Sequence, residues 1–192
     1  MKKFCIINGT LRPQGHTSEL LKPFIAELKQ REQQVEVITL FDKNIHSCVG
    51  CYHCQSVLDS FGCAIDDDAV AIMDSVIACD CLVLATPIYT WLPTAPLKAL
   101  IDRFYALSKY STTPRGSLWR GKNLALIATH GDQRDSGVCD FWVGAVKNLC
   151  QYAGLNYQGI FSWQDNDGLA DFQTPQALAA AQAFAKQLCE ND

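Results

Sequence analysis

Apolar residues in this chain fall into two alternating patterns. Short unbroken runs occur at Lys3–Asn8, Gln34–Leu40, Cys81–Thr86, Asn123–Thr129 and Tyr157–Trp163. Runs such as CLVLAT and NLALIAT, apolar on both faces except at their ends, suit strands covered on both sides. Between them lie stretches with helical spacing. Leu20, Leu21, Phe24, Ile25 and Leu28 fall on one face of a helix over 17–33, with Pro23 inside it. A second helix is predicted over 67–78 and a third from Thr94 and Pro96 to about Lys109. A fourth runs from Ser136 to Ala153 and ends at Gly154, and a fifth starts at Thr174-Pro175. Five strands, each followed by a helix, predict an α/β fold: a doubly wound five-stranded parallel sheet with helices on both faces. No boundary or repeat divides the chain, so residues 1–192 read as one domain.

In sheets of this kind, ligands bind beyond the carboxyl ends of the strands at the switch point of the strand order. The loops after the first, third and fourth strands therefore hold the interest. The first loop carries hydroxyls at Thr10, Thr17 and Ser18, the guanidinium of Arg12, and Gly15 and His16 just before a helix. Aligned helix amides, hydroxyls and a cation are what a phosphate monoester needs. An ordinary polar loop with Thr17 as helix cap is the plainer reading. Neither the Walker pattern nor the dinucleotide fingerprint is present. The second loop, Pro87-Ile88-Tyr89-Thr90-Trp91, is stiff and aromatic and offers flat surfaces to a planar ligand. Its rings could equally serve the core or an interface. The third loop, from Thr129 through His130 and Gly131 to Gly137, is polar and glycine-containing, which lets backbone amides approach a ligand.

Composition narrows the function. With 48% hydrophobic residues, 192 residues can bury a sizeable core. A net charge of −4 with scattered basic residues argues against nucleic acid. No apolar run is long enough to span a membrane, and Met1–Gly9 has too little apolar sequence for a signal peptide, so a cytoplasmic location is expected. Ten cysteines are many for this length. Cys5, Cys79, Cys81, Cys139, Cys150 and Cys189 are spread out, mostly in apolar stretches, and read as small hydrophobes. Cys48, Cys51, Cys54 and Cys63 crowd into a stretch, Phe41 to Asp66, that has no clear period. A long irregular loop inside a compact domain is usually functional.

Taken together, Gly9-Thr10-x-Arg12-x-x-Gly15-x-Thr17, Thr86-Pro87-Ile88-Tyr89 and the segment Ala95–Phe104 resemble the NADPH-dependent FMN reductase superfamily. The iron–sulfur flavoprotein branch is the nearest match, since Cys48-Val49-Gly50-Cys51-Tyr52-His53-Cys54, Cys63 and Asp66–Asp68 follow its order. The resemblance covers about residues 3–131 and has Thr10 where Ser is common. It implies a flavodoxin-like sheet of order 2-1-3-4-5 and FMN as cofactor. It assigns the phosphate to Thr10, Arg12, Gly15, His16, Thr17 and Ser18. Pro87, Ile88, Tyr89, Thr90 and Trp91 would line the ribityl chain and ring, and Thr129, His130 and Gly131 would border the ring from the other side. It suggests a [4Fe–4S] cluster on Cys48, Cys51, Cys54 and Cys63. Zinc on four thiolates and reduced thiols without metal are the other readings of C-x2-C-x2-C-x8-C.

The expected activity is an FMN-dependent oxidoreductase, with NAD(P)H or another donor docking transiently. The acceptor would be a quinone, flavin, nitro or azo compound, or a protein. No catalytic side chain is assigned, because the cofactor carries the redox step. The rival readings are a non-enzymatic electron carrier and an FMN-free interaction protein. A homodimer or homotetramer is expected, joined partly through the helix over 94–109, with Tyr105, Leu107 and Tyr110 as extra apolar surface.

Overall fold

The computed structural model describes residues 1–112 and 116–191. Five parallel strands form the central sheet: β1 (Lys3–Asn8), β2 (Gln34–Thr39), β3 (Cys81–Pro87), β6 (Asn123–His130) and β7 (Asn156–Gln164). Their order is β2-β1-β3-β6-β7, which is 2-1-3-4-5 counted over these five strands, the flavodoxin-like order. A small antiparallel pair, β4 (Ser108–Lys109) and β5 (Gly116–Ser117), stands apart. The central strands β1, β3 and β6 are buried almost throughout, while β2 and β7 at the edges are half-exposed. The unbroken apolar runs therefore belong to the middle of the sheet, where both faces are covered.

The two faces carry separate cores. On one, Phe4, Ile6, Val83, Ala85, Ala125 and Ile127 pack against α1 (His16–Gln30) and α5 (Pro175–Glu190) through Leu20, Phe24, Leu28, Phe184 and Leu188. On the other, Cys5, Ile7, Leu82, Leu84, Leu124 and Leu126 meet α2 (Ala69–Ala78), α3 (Ala95–Arg103) and α4 (Asp140–Ala153). Truncating a large buried side chain such as Phe24 would cost about 3–5 kcal/mol. Cys5, Cys79, Cys81, Cys139 and Cys150 are buried, in keeping with a hydrophobic role.

Two helices differ from the expected bounds. The third helix stops at Arg103, tightens into a 3-10 turn over Phe104–Leu107 and gives way to β4. Leu107 is fully buried, so it belongs to the core and not to an interface. The fourth begins at Asp140, because Gly137 takes φ +74° and interrupts the chain before it.

Register fixes where the loops emerge. Asn8 lies beside Ala85, and Pro87 beside Thr129. The loops after β1, β3 and β6 therefore leave one edge of the sheet side by side.

Candidate cofactor cleft and cysteine pocket

The turn after β1 is built by its own polar atoms. Asn8 accepts from the Thr10 amide at 3.2 Å through Oδ1 and donates to Ser18 Oγ at 3.1 Å. The Thr10 hydroxyl accepts from the Arg12 amide at 3.2 Å. The Gly15 amide donates to the Arg12 carbonyl at 2.9 Å. A Cβ at Gly15 would sit 2.8 Å from Arg12 Cβ and 3.1 Å from its carbonyl oxygen, so the turn closes only around glycine. On the other side, Thr94 donates its hydroxyl to the Gly9 carbonyl at 2.6 Å, which ties the start of α3 to this turn.

Helix α1 then opens with Gly15 at its N-cap and no side chain capping it. Thr17 is not the cap. It lies inside the helix, and its hydroxyl meets that of Thr129 on β6 at 2.9 Å. The first amides of α1 are thus left for an outside acceptor, beside the exposed side chain of Arg12.

Thr10, Arg12, Gly15, His16 and Thr17 line one cleft of about 170 Å³ with Pro87, Ile88, Tyr89, Thr129, His130 and Gly131. Three loops far apart in sequence thus converge. Ser18 does not line the cleft and supports it through Asn8. Thr90 and Trp91 line an adjoining cleft of about 340 Å³, which shares Ile88 and Gly131 with the first. His130 is 4% exposed, and its Nδ1 lies 2.7 Å from the Asp132 carbonyl. A carbonyl only accepts, so Nδ1 carries a proton, and Nε2 is buried with no partner among the described residues.

Asp165 at the end of β7 completes the wall and is a residue that sequence reading missed. Its Oδ2 lies 2.7 Å from His16 Nδ1, while the His16 ring stacks on Phe172 at 4.9 Å. Nothing in the local sequence marks Asp165, because its role comes from where β7 ends.

The tip of the second loop is an unusual turn. Tyr89 and Leu92 exchange two backbone hydrogen bonds, at 2.9 and 3.1 Å. Between them Thr90 and Trp91 take φ of +51° and +63°. That turn normally uses Asn-Gly. Left-handed backbone at two residues with Cβ atoms costs about 1–3 kcal/mol each.

The four clustered cysteines line a second, smaller pocket of about 30 Å³, together with Arg103, Ile65, Tyr105 and Ala106. Cys48 and Cys51 are exposed, Cys63 half-buried and Cys54 buried. Burial pushes the Cys54 thiol up from its ordinary value. Among the described residues, no three His, Cys, Asp or Glu side chains converge closely enough to hold a single metal ion. This pocket shares no residue with the cofactor cleft. Helix α3 joins the two: its start is bonded to the β1 turn and its last residue lines the cysteine pocket. Nine helical residues span roughly 14 Å.

Buried cations hold the cysteine loop. Arg103, with its side chain 1% exposed, pairs with Asp67 at 2.9 and 3.3 Å. It also donates to the carbonyls of His46 at 3.0 Å and Ile65 at 3.3 Å, so one guanidinium grips both ends of the loop. Asp67 further accepts from the amides of His46 at 2.8 Å and Ala69 at 3.0 Å. Burial works to raise the Asp67 pKa, but the Arg103 pair and these amides outweigh it and hold the carboxyl below its usual range. Gln55 bridges to the Ser108 carbonyl at 3.0 Å and accepts from the Tyr110 amide at 2.7 Å.

The profile of the family described as NADPH-dependent FMN reductase matches residues 2–142. An iron–sulfur flavoprotein of Methanocaldococcus jannaschii is 32% identical over 97 residues, 50% of this chain and 49% of that protein. The chain thus matches about half the length of that relative. One from Methanosarcina thermophila is 27% identical over 184 residues, covering 96% of this chain and 92% of that protein. Among solved structures, an NAD(P)H:quinone oxidoreductase from Methanothermobacter marburgensis superposes with a TM-score of 0.77 at 15% identity, over 97% of this chain and 98% of that one. An FMN-dependent NADH-azoreductase from Bacillus anthracis in complex with FMN gives 0.68 at 18% identity, over 98% and 100%. At such identities the structures bear on the fold alone. No helix among the described residues is long and apolar enough to cross a membrane.

Proposed function

The chain belongs to the NADPH-dependent FMN reductase family, and from that premise we propose that it is an FMN-dependent oxidoreductase. Its electrons would come from NAD(P)H or another donor and pass to a quinone, flavin, nitro or azo compound, or a protein. One observation carries this reading: the uncapped start of α1 faces the same cleft as Thr10, Arg12 and the loops after β3 and β6. The donor set fits a phosphate monoester, since the helix amides, the hydroxyls of Thr10 and Thr17 and the guanidinium of Arg12 all donate. Pro87, Ile88 and Tyr89 on one side, with Thr129, His130 and Gly131 on the other, would hold the ribityl chain and ring. Thr90 and Trp91 border the continuation of that cleft. When bound, FMN supplies the electron exchange, and the protein contributes placement, electrostatics and exclusion of water.

The cysteine pocket supports a second redox group in the same reading. Four soft donors lining one pocket suit a thiophilic centre. An iron–sulfur core is the group that the names of the relatives carry, and four cysteine thiolates are the ligand set that a [4Fe–4S] core takes. This pocket also keeps a second reading open, that of an electron carrier between proteins, which slow NAD(P)H oxidation without a partner would favour. We place the protein in the cytoplasm, as a homo-oligomer.

The test is ligand extraction from anaerobically purified protein, with a visible spectrum before and after NAD(P)H. FMN is expected; FAD or no flavin would refute the reading. Arg12→Ala should weaken FMN binding by about 1.5–3 kcal/mol, the range for a charged hydrogen bond. The fold should persist, because the Arg12 side chain is exposed. Unchanged affinity would move the phosphate elsewhere.

A further inference from the structure

The cofactor cleft has a fourth contributor, the segment that follows β7. Asp165 lines the cleft with Thr10, Arg12 and His16, and its Oδ2 lies 2.7 Å from His16 Nδ1. The carboxylate is itself held, since its Oδ1 accepts from the Gly168 amide at 2.9 Å. The imidazole is held as well, stacked on Phe172 of the 3-10 turn over Leu169–Gln173, with 16° between the ring planes. The two side chains are 27% and 31% exposed, so a molecule entering the cleft can reach the pair. A second carboxylate acts on the ring from the same segment. Asp171 accepts from the amides of Asp167 at 2.7 Å and Asn166 at 2.5 Å, which hold its carboxyl below the usual carboxylate range, and His16 acts on it in the same direction. Of the other charged groups, Arg12 lines the cleft, and Glu19 one turn along α1 pairs with Lys22 at 2.5 Å. Tyr89 and His130 are the remaining titratable groups of the cleft wall, and Asp132 and Asp167 on adjoining loops are exposed.

A carboxylate in the wall of a phosphate site repels the ligand unless a cation stands between them. Donor counting shows what His16 must become. An ionised carboxylate only accepts, so His16 Nδ1 carries a proton. A phosphate dianion also only accepts. An imidazole that meets Asp165 through Nδ1 can therefore meet a phosphate through Nε2 only with both nitrogens protonated. His16 Nε2 has no partner among the described residues. We infer that His16 binds the FMN phosphate as an imidazolium bridged to Asp165, so that FMN binding takes up a proton from solvent, and that Asp165 is the positioning residue for this ring. This deepens the FMN reading and rests on it. Binding favours the protonated ring, so affinity is highest where His16 is already charged and falls as pH rises. The ligand's own second ionisation, at about pH 6 for a phosphate monoester, works the other way and is nearly complete above pH 7.

The test measures the affinity of flavin-free protein for FMN, and for riboflavin, which lacks the phosphate, from pH 7 to pH 9. Wild type should lose FMN affinity by at least about threefold over that range. Calorimetry at pH 8 in buffers of different ionisation heat should show proton uptake. Riboflavin should show neither effect. His16→Asn, which keeps a donor but cannot take a charge, should bind FMN with flat affinity and without proton uptake. Asp165→Asn should move the fall to lower pH, and Asp165→Glu should restore it toward wild type. An equal fall in wild type and His16→Asn would overturn the proposal. So would an Asp165→Asn protein whose affinity is lowered by the same factor at every pH, which would leave Asp165 a structural role only. Melting temperature of the flavin-free variants reports folding. Should a variant fail to fold, nitrogen NMR of the wild-type imidazoles decides: FMN at pH 8 should convert His16 to the doubly protonated form, and an unchanged ring overturns the inference. Wild type that binds FMN at no pH refutes the FMN reading itself. Inorganic phosphate added to the same labelled sample then tests the pair alone: conversion of His16 supports it, and an unchanged ring overturns it.

Discussion

At Thr90 and Trp91 the backbone adopts φ of +51° and +63°, where glycine would sit without strain. The indole gives no visible return for this inside the chain. Trp91 is 48% exposed, and Tyr89 and Leu92 beside it are similarly open. Its ring instead borders the cleft that continues from the cofactor cleft. Strain of this kind gathers at functional sites, where the scaffold holds a side chain in place for an outside contact. The energetic consequence is checkable. Relief of the left-handed conformation is worth about 1–2 kcal/mol, against about 0.5–1 kcal/mol for the extra unfolded-state freedom of glycine. Trp91→Gly should therefore leave the protein at least as stable, with a gain of up to about 1.5 kcal/mol. Urea denaturation of the flavin-free protein is the right measurement, since bound ligand would add its own stabilisation. A loss of stability would show that the indole packs within the fold after all.

Among the elements, α3 links the two sites, and the way it ends was hidden in the sequence. The strands, the five helices and the three cleft loops were legible because unbroken apolar runs, helical spacing and helix-start signals are local. Charged residues in such patterns read as solvent-facing, which is why Arg103 and Lys109 gave no hint of lying buried against the cysteine loop. Asn8 and Asp165 were missed for a related reason, because their partners are set by sheet register and strand length. The irregular stretch with four cysteines read as functional, but the clamp that shapes it did not. The Asp67–Arg103 pair gives this clamp a pH signature. The Asp67 pKa is lowered in the folded state, so its contribution is fully present above the unfolded value of about 3.9. It is lost as pH falls through the lower folded value. Acid should therefore release the loop over 46–67, making it sensitive to protease below about pH 4. In Arg103→Leu, with Asp67 left buried and unpaired at a cost of about 3–5 kcal/mol, the loop should be cleaved already at neutral pH. A wild-type loop that is cleaved equally fast at pH 7 and pH 3 would contradict the clamp.

For the molecule as a whole, the outer face beside the cysteine pocket carries a row of tyrosines. Tyr52 meets Tyr105 at 6.0 Å, Tyr105 meets Tyr110 at 4.8 Å, and Tyr110 meets Tyr152 at 5.9 Å. Tyr52 is 67% exposed and Tyr152 48%. Tyrosine suits such a surface, since each ring offers a rigid apolar body and a polar tip. The row collects residues from the cysteine loop, the turn after α3, the segment after β4, and α4, so no single helix makes this face. That changes the expected interface: from residues 104–110 it would draw on Tyr105 and Tyr110, because Leu107 faces inward. A contiguous aromatic patch of this kind marks an interaction surface, and a stable homodimer would bury about 1,200–2,000 Å² in total. The protein should sediment as a dimer or larger at micromolar concentration. Tyr105→Glu should shift it toward monomer, because a carboxylate placed among packed rings is desolvated without a partner. The substitution lies outside the cofactor cleft, so FMN content serves as the control for folding. A wild-type monomer at micromolar concentration, or a Tyr105→Glu protein that assembles as well as wild type, would show that this face serves something other than a second copy of the chain.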